Sequence, residues 1–196
     1  VHYNVGVRGA SARMRVLVFA NTPAHVHLYK HAVSGLVRRG HDVLVAGRDY
    51  SVTEPLLSFY DLPYELYGYC DTSKRSLFGN LPRHYLNIAR LTRRFDPDLI
   101  FGMGSYSAHA SLFSGARAVL LRDSEPDDLD YRFARPFADA VLTPASFRKH
   151  LGDGHYVFSG FKESAYLHPE EFSPDPGVRV HLGLGPREPF AVLRLN

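Results

Sequence analysis

The stretch MRVLVFANTPAHVHLYKHAVSGLVRRGHDVLVA, residues 14–46, decides the fold. It opens with an almost unbroken apolar run, residues 14–20. A strand exposed on one face would alternate apolar with polar, so this run reads as a strand covered on both faces. The loop Asn21-Thr22-Pro23-Ala24-His25-Val26-His27 follows and opens a helix expected over residues 27–39. Val33, Leu36 and Val37 share one face of that helix, and Gly40 ends it as a C-terminal cap. A second apolar strand, residues 42–46, comes straight after. Strand, helix and strand in this order make a βαβ unit, in which the two strands run parallel.

The same alternation continues along the chain. Expected elements are a helix over 52–59, a strand over 64–67, a polar loop over 68–76 and a long helix over 77–95. Leu81, Tyr85, Ile88 and Leu91 recur there at helical spacing. A strand over 98–101, a helix over 106–113, a strand over 118–121, a helix over 128–137 and strands over 140–142 and 155–158 complete the pattern. Short connections and right-handed crossovers give a doubly wound, Rossmann-like parallel sheet with helices on both faces, an α/β fold. Ligands of such sheets lie outside the carboxyl ends of the strands. That edge collects Asn21 to His27, Arg48-Asp49, Gly102 to Ser105 and Arg122 to Asp128.

Bulk composition excludes several classes of function. The hydrophobic content of 45% supports a real core, and 196 residues suit one domain or one domain with a fragment of another. A formal charge of +3, with no compact basic block, is too weak and dispersed to argue for nucleic acid. Arg90, Arg93 and Arg94 gather at one helix end, where they complement the helix dipole or form a patch for phosphate or anionic lipid. The second option would bring peripheral membrane association. A single cysteine, Cys70, excludes an internal disulfide framework and fits a reducing compartment. No apolar run is long enough to span a membrane. Residues 1–13 lack the charge and apolar stretch of a signal peptide, and are expected to be a disordered extension before a natural start at Met14. A cytoplasmic location is expected.

Beyond His168 the composition changes. Pro169, Pro174, Pro176, Gly177, Gly183, Gly185, Pro186 and Pro189 crowd a linker with a short helix near 178–182, and residues 190–195 then read as a fresh apolar strand. A lone strand has nothing to pair with. The expected organisation is a Rossmann-like domain over 14–168, followed over 169–196 by a linker and the first strand of a truncated carboxyl-terminal domain.

These residues resemble a family. N-x-P-x-H-V-H after the first strand, R-R-G-H-D-V-L-V-A-G-R-D, F-D-P-D-L-I with a following G-S, D-S-E-P, P-F-A-D with T-P, and S-G-F-K-E-S-A-Y-L-H-P-E-E-F occur in order over almost all of residues 14–194. They are similar to the largely archaeal family called domain of unknown function 354. That family is grouped with GT-B glycosyltransferases and is distantly similar to UDP-N-acetylglucosamine 2-epimerase. The resemblance implies two Rossmann-like domains facing a cleft, with the nucleotide-sugar held mainly by the carboxyl-terminal one. Three departures stand out: Pro126 replaces a usual His, Cys70 replaces the His of a Gly-x-His, and Asp130-Tyr131 replaces Gln-Asn. The catalytic acid that epimerases carry in a Gly-Asp pair after the fourth strand corresponds here to Gly104-Ser105.

The candidate residues follow from this edge and this resemblance. His25 and His27 sit at the mouth of the first helix, where unpaired N–H groups favour anions. Either ring contacts an acceptor hydroxyl, sugar or phosphate, His25 being the better base, or it bonds a neighbouring loop. Their spacing fits no zinc pattern, so no metal is expected. Asn21, at the same mouth, is expected to bind substrate, and the loop lacks dinucleotide and P-loop spacings, so no such cofactor is expected. Asp123 and Glu125, two apart on an extended loop, suit a general base or sugar contacts, against the alternative of a solvated acidic loop. Asp130 reads as helix surface. Gly104 and Ser105 offer N–H groups to an anion, or simply permit close packing. Arg48 contacts ligand or pairs with Asp49, and Lys162 meets a phosphate or serves a hinge. The expected activity is metal-independent transfer of a sugar from a nucleotide-sugar donor to a glycan or lipid-linked acceptor hydroxyl, with this fragment inactive alone. A nucleotide-sugar 2-epimerase or hydrolase, and a non-catalytic sugar-binding module, are the alternatives.

Overall fold

The computed structural model describes residues 12–70, 74–125, 128–185 and 187–193. Expectations for residues 1–11, 71–73, Pro126, Asp127, Pro186 and residues 194–196 lie outside the described residues. Seven strands form one sheet: β1 (Arg15–Ala20), β2 (Asp42–Asp49), β3 (Tyr64–Tyr69), β4 (Leu99–Gly102), β5 (Arg117–Leu121), β6 (Ala140–Pro144) and β7 (His155–Phe158). Their order is β3-β2-β1-β4-β5-β6-β7, and every neighbouring pair is parallel. The helices are α1 (Pro23–Arg38), α2 (Thr53–Phe59), α3 (Lys74–Phe95), α4 (Ser105–Ala110), α5 (Asp128–Ala134), α6 (Ser164–Leu167) and α7 (Gly177–His181). The doubly wound parallel sheet expected from the pattern is therefore the fold.

The unbroken apolar run of β1 is explained by its central place. Successive side chains of a strand point to opposite faces. Val16, Val18 and Ala20 pack with Val26, Tyr29 and Val33 of α1 and Leu57 of α2. Leu17 and Phe19 face the other way, toward Ile88 and Leu91 of α3 and Ile100 of β4. Both faces are covered, so every one of these side chains is buried, and a ring such as Phe19 contributes about 1.5–3 kcal/mol. A third cluster, Leu120, Val141, Ala134 and Ala138, seats α5 on the far strands.

Element bounds differ from the sequence reading in several places; the helix expected over 128–137, for one, ends at Ala134 and gives way to a 3-10 turn over Arg135–Phe137. α1 begins at Pro23 rather than His27, because proline at the first helical position has no N–H to leave unpaired and a preset φ. β2 runs on to Asp49, since Arg48 and Asp49 pair with Gly68 and Tyr69 across a register shift. The helix expected over 106–113 ends at Ala110 and tightens into a 3-10 turn over Ser111–Phe113. Residues 190–193 carry no strand; Phe190 instead lies 5.2 Å from the Arg179 guanidinium. The segment after β7 turns back onto α1, where His27 and Tyr166 stack loosely and His31 Nδ1 meets Glu171 Oε2 at 2.9 Å.

Candidate functional site

The order of the strands reverses at β1. The chain steps outward through β2 and β3, then crosses back to lay β4 on the other side of β1. Loops leaving β1 and β4 therefore part in opposite directions and open a crevice between them. A cavity of about 760 Å³ occupies that crevice. Its floor is Asn21, His25, Met103 and Gly104, and it reaches across the ends of β2 and β5 to Arg48 and Asp123.

One end of the cavity is charged. Asn21 is clamped from three directions: Tyr67 Oη donates to Oδ1 at 2.9 Å, Nδ2 donates to the Met103 carbonyl at 3.4 Å, and Arg48 Nε donates to the Asn21 carbonyl at 3.1 Å. Arg48 is thereby held over the floor with its guanidinium 5.4 Å from the Tyr50 ring. The Asn21 N–H donates to His25 Nδ1 at 3.3 Å. Burial, and after it the positive charge of Arg48, pushes the His25 pKa down to about 4. The ring is neutral at pH 7, and because Nδ1 accepts, its proton is on Nε2. His25 in this state offers a donor. Asp123 forms an ion pair with Lys162, and that contact raises the Lys162 pKa.

Between the two ends lies the turn from β4 into α4. Gly104 has φ +83°, and a Cβ there would come within 2.8 Å of Asp130 Oδ2. Ser105 donates to Asp130 Oδ1 twice, from its backbone N–H at 3.2 Å and from Oγ at 2.5 Å. The carboxylate of Asp130 thus occupies the place where an anion was expected on the Gly104-Ser105 turn. Reading Asp130 as helix surface is corrected by the same bonds: α5 aims it inward at the start of α4.

The other end of the cavity is aromatic. Leu81 and Tyr85 of α3, Tyr106 and His109 of α4, and Leu129 and Phe133 of α5 line it. Two tyrosine–histidine couples cross between α3 and α4. Tyr85 Oη and His109 Nδ1 are 2.7 Å apart, and His109 Nε2 is 3.0 Å from the Phe133 carbonyl. Tyr106 Oη and His84 Nδ1 are 3.1 Å apart, and His84 Nε2 is 2.9 Å from the Tyr69 carbonyl. Burial pushes the Tyr85 pKa up to about 12 and that of Tyr106 upward too, while it pushes His84 down. Both phenols keep their protons at neutral pH.

The structure therefore brings Asn21, His25, Arg48, Gly104, Ser105 and Asp123 to one cavity, with Lys162 joined to it through Asp123. Two expected residues point elsewhere. Glu125 Oε1 accepts from the backbone N–H groups of Arg148 at 2.5 Å and Lys149 at 3.1 Å. His27 Nδ1 is 3.1 Å from Tyr60 Oη, on the outer side of α1. Arg122 explains how Asp123 and Glu125 part: its Nε and one terminal nitrogen donate to the carbonyls of Ser124 and Glu125, curling the loop between them. Tyr85, Tyr106, His84, His109 and Asp130 were missed. The pairs His84-Tyr85 and Tyr106…His109, each on one helix, were visible, but Tyr85 read as part of an apolar stripe. Among the described residues no group of three His, Cys, Asp or Glu side chains is arranged to hold a metal ion, and no helix is long and apolar enough to cross a membrane.

No family model matches the chain, and no curated protein matches it in sequence. Solved structures match in shape. A UDP-N-acetylglucosamine 2-epimerase superposes with a TM-score of 0.56 at 12% identity, over 74% of this chain and 48% of that one. Alr3699/HepE of Anabaena, solved with UDP and glucose, gives 0.53 at 16%, over 87% and 50%. MurG of Acinetobacter baumannii gives 0.53 at 13%, over 75% and 46%. The fold is that of a GT-B domain. The chain spans half or less of the length of each of these proteins.

Proposed function

We propose that the chain is the acceptor-side domain of a GT-B-type glycosyltransferase, which moves a sugar from a nucleotide-sugar donor to an acceptor hydroxyl. The donor-binding domain would come from outside these residues, in keeping with neighbours of about twice this length, one of them solved with UDP and glucose. The observation that carries the reading is the cavity at the β1–β4 switch point, charged at one end and lined with phenols at the other. Asp123 is assigned the general base, because of the two carboxylates lining the cavity it is the one not already spent on a helix start. Lys162 pairs with it and fixes its position, and His25 Nε2–H and Arg48 bind the ligand. Glu125 is assigned to the Arg148–Lys149 backbone instead of to catalysis.

A second reading has one specific observation in its favour. The Ser105–Asp130 bond sets a carboxylate directly after β4, where 2-epimerases carry their acid in a Gly-Asp pair. A nucleotide-sugar epimerase or hydrolase would use Asp130 there.

Product analysis of the full-length protein with a panel of nucleotide-sugars and acceptors separates the readings. Free nucleotide with a glycosylated acceptor is the expected result. An altered sugar gives the epimerase, and binding without turnover gives a module. Residues 1–196 alone are expected to bind acceptor and turn nothing over; catalysis by them alone would overturn the two-domain reading.

A further inference from the structure

The two tyrosine–histidine couples have a direction, and the direction sets what the cavity accepts. A backbone carbonyl can only accept, so His109 Nε2 must carry a proton toward Phe133, and His84 Nε2 must carry one toward Tyr69. In an imidazole with its one proton on Nε2, Nδ1 is a lone pair. Tyr85 donates its O–H to His109, and Tyr106 donates its O–H to His84. Each phenol has spent its only proton inside the wall. What it presents to the cavity is an oxygen that accepts and cannot donate.

A ligand facing such a wall needs O–H groups of its own. A hydroxyl fits, whereas an ether or carbonyl oxygen would face another lone pair and leave both sides unsatisfied. The opposite end of the cavity has the reverse character: Arg48 and the His25 Nε2–H are donors, and Asp123 is already paired with Lys162. Arg48 hydrogen-bonds the Asn21 carbonyl through Nε, and its guanidinium lies at the cavity wall. Leu81, Leu129 and Phe133 supply apolar surface against which a pyranose ring can lie.

We propose that this cavity is a hydroxyl-selective site for a sugar phosphate, in which Tyr85 and Tyr106 accept from sugar hydroxyls and Arg48 takes the phosphate. The proposal rests on the acceptor-domain reading and names the acceptor class. The same chemistry occurs in a free sugar phosphate and in a lipid-linked one.

The test is calorimetry on residues 1–196 at pH 8, with the 1-phosphates of glucose, mannose and N-acetylglucosamine as probes. Their fully O-methylated counterparts, the free sugars and inorganic phosphate serve as comparisons. The expected order is sugar phosphate first, with at least about a tenfold loss on O-methylation and a similar loss in Arg48→Gln. His109→Phe keeps an aromatic ring against Phe137 but frees the Tyr85 proton, so the penalty for O-methylation falls to the share that Tyr106 still imposes through His84. His109→Gln can still accept from Tyr85 and donate to Phe133, so the penalty returns. A decyl phosphodiester of the best sugar tells the sources apart: tighter binding than the monoester indicates a lipid-linked ligand, weaker binding a free one.

Four results overturn the proposal. Inorganic phosphate binding as tightly as any sugar phosphate would leave an anion site only. A penalty undiminished in His109→Phe, in protein with an unchanged melting temperature, would be methyl bulk and not hydrogen bonding. Saccharide binding without any phosphate or hydroxyl preference would sink this proposal and leave the acceptor-domain reading standing. No saccharide binding at all would sink both.

Discussion

Ser105 Oγ donates to Asp130 Oδ1 at 2.5 Å, joining the first residue of α4 to the first turn of α5 across the cavity floor. The carboxylate also accepts the Ser105 N–H, so α4 begins with its anion supplied from within the chain. This bond closes the turn to an outside anion and gives α5 a fixed place beside the aromatic wall.

Removing that carboxylate should loosen the floor. Asp130→Ala leaves the Ser105 N–H and hydroxyl without their acceptor, and is expected to cost about 1–2 kcal/mol. Urea denaturation reads this directly. A loss below a few tenths of a kcal/mol would show that water replaces the carboxylate without penalty.

His25 predicts a pH dependence of stability. Its pKa is about 4 in the folded chain against an ordinary 6.5, so between those values the unfolded chain binds the extra proton. Unfolding is therefore favoured as pH falls from 6.5 toward 4, and no stability is lost on this account above that window. The full effect is about 3 kcal/mol. His25→Gln should flatten the denaturation midpoint between pH 7 and pH 4.5 relative to the parent; an unchanged slope would remove His25 as its source.

Tyr67 is buried at 1% exposure, and its hydroxyl meets Asn21 Oδ1 at 2.9 Å. Tyr67→Phe leaves the Asn21 oxygen unpaired in a dry place, at a cost of about 1–3 kcal/mol. Because Asn21 carries Arg48 on its carbonyl and His25 on its N–H, ligand affinity should fall along with stability. Stability lost with affinity intact would separate the clamp from the site.

Gly68 passes under the ring of His84 with no room for a side chain. A Cβ there would lie 2.3 Å from His84 Cδ2. In Gly68→Ala the ring must shift, which breaks its bonds to Tyr69 and Tyr106. The expected cost is about 1–3 kcal/mol, as for other overpacked sites, with an upfield move of the His84 Nε2–H proton resonance as the check.

Local pattern carried the architecture a long way. The apolar run 14–20 and the cap at Gly40 required nothing beyond neighbours a few residues off, and so did the placing of Asn21, His25, Arg48, Gly104 and Asp123 at one edge. Strand polarity alone puts every βα loop of a parallel sheet on the same side. Spacing was less reliable where a loop curls. Asp123 and Glu125 should share one side of an extended segment, yet the Arg122 guanidinium bends the chain so that one carboxylate enters the cavity and the other binds backbone at Arg148 and Lys149. The partners of greatest chemical consequence lie far apart in the chain: Ser105 with Asp130, Tyr85 with His109, Tyr106 with His84, Lys162 with Asp123. A hydrogen bond between residues on different elements depends on how those elements dock, and periodicity along one helix does not contain that information. Hence Tyr85 reads as core in one dimension and becomes an acceptor facing a cavity in three.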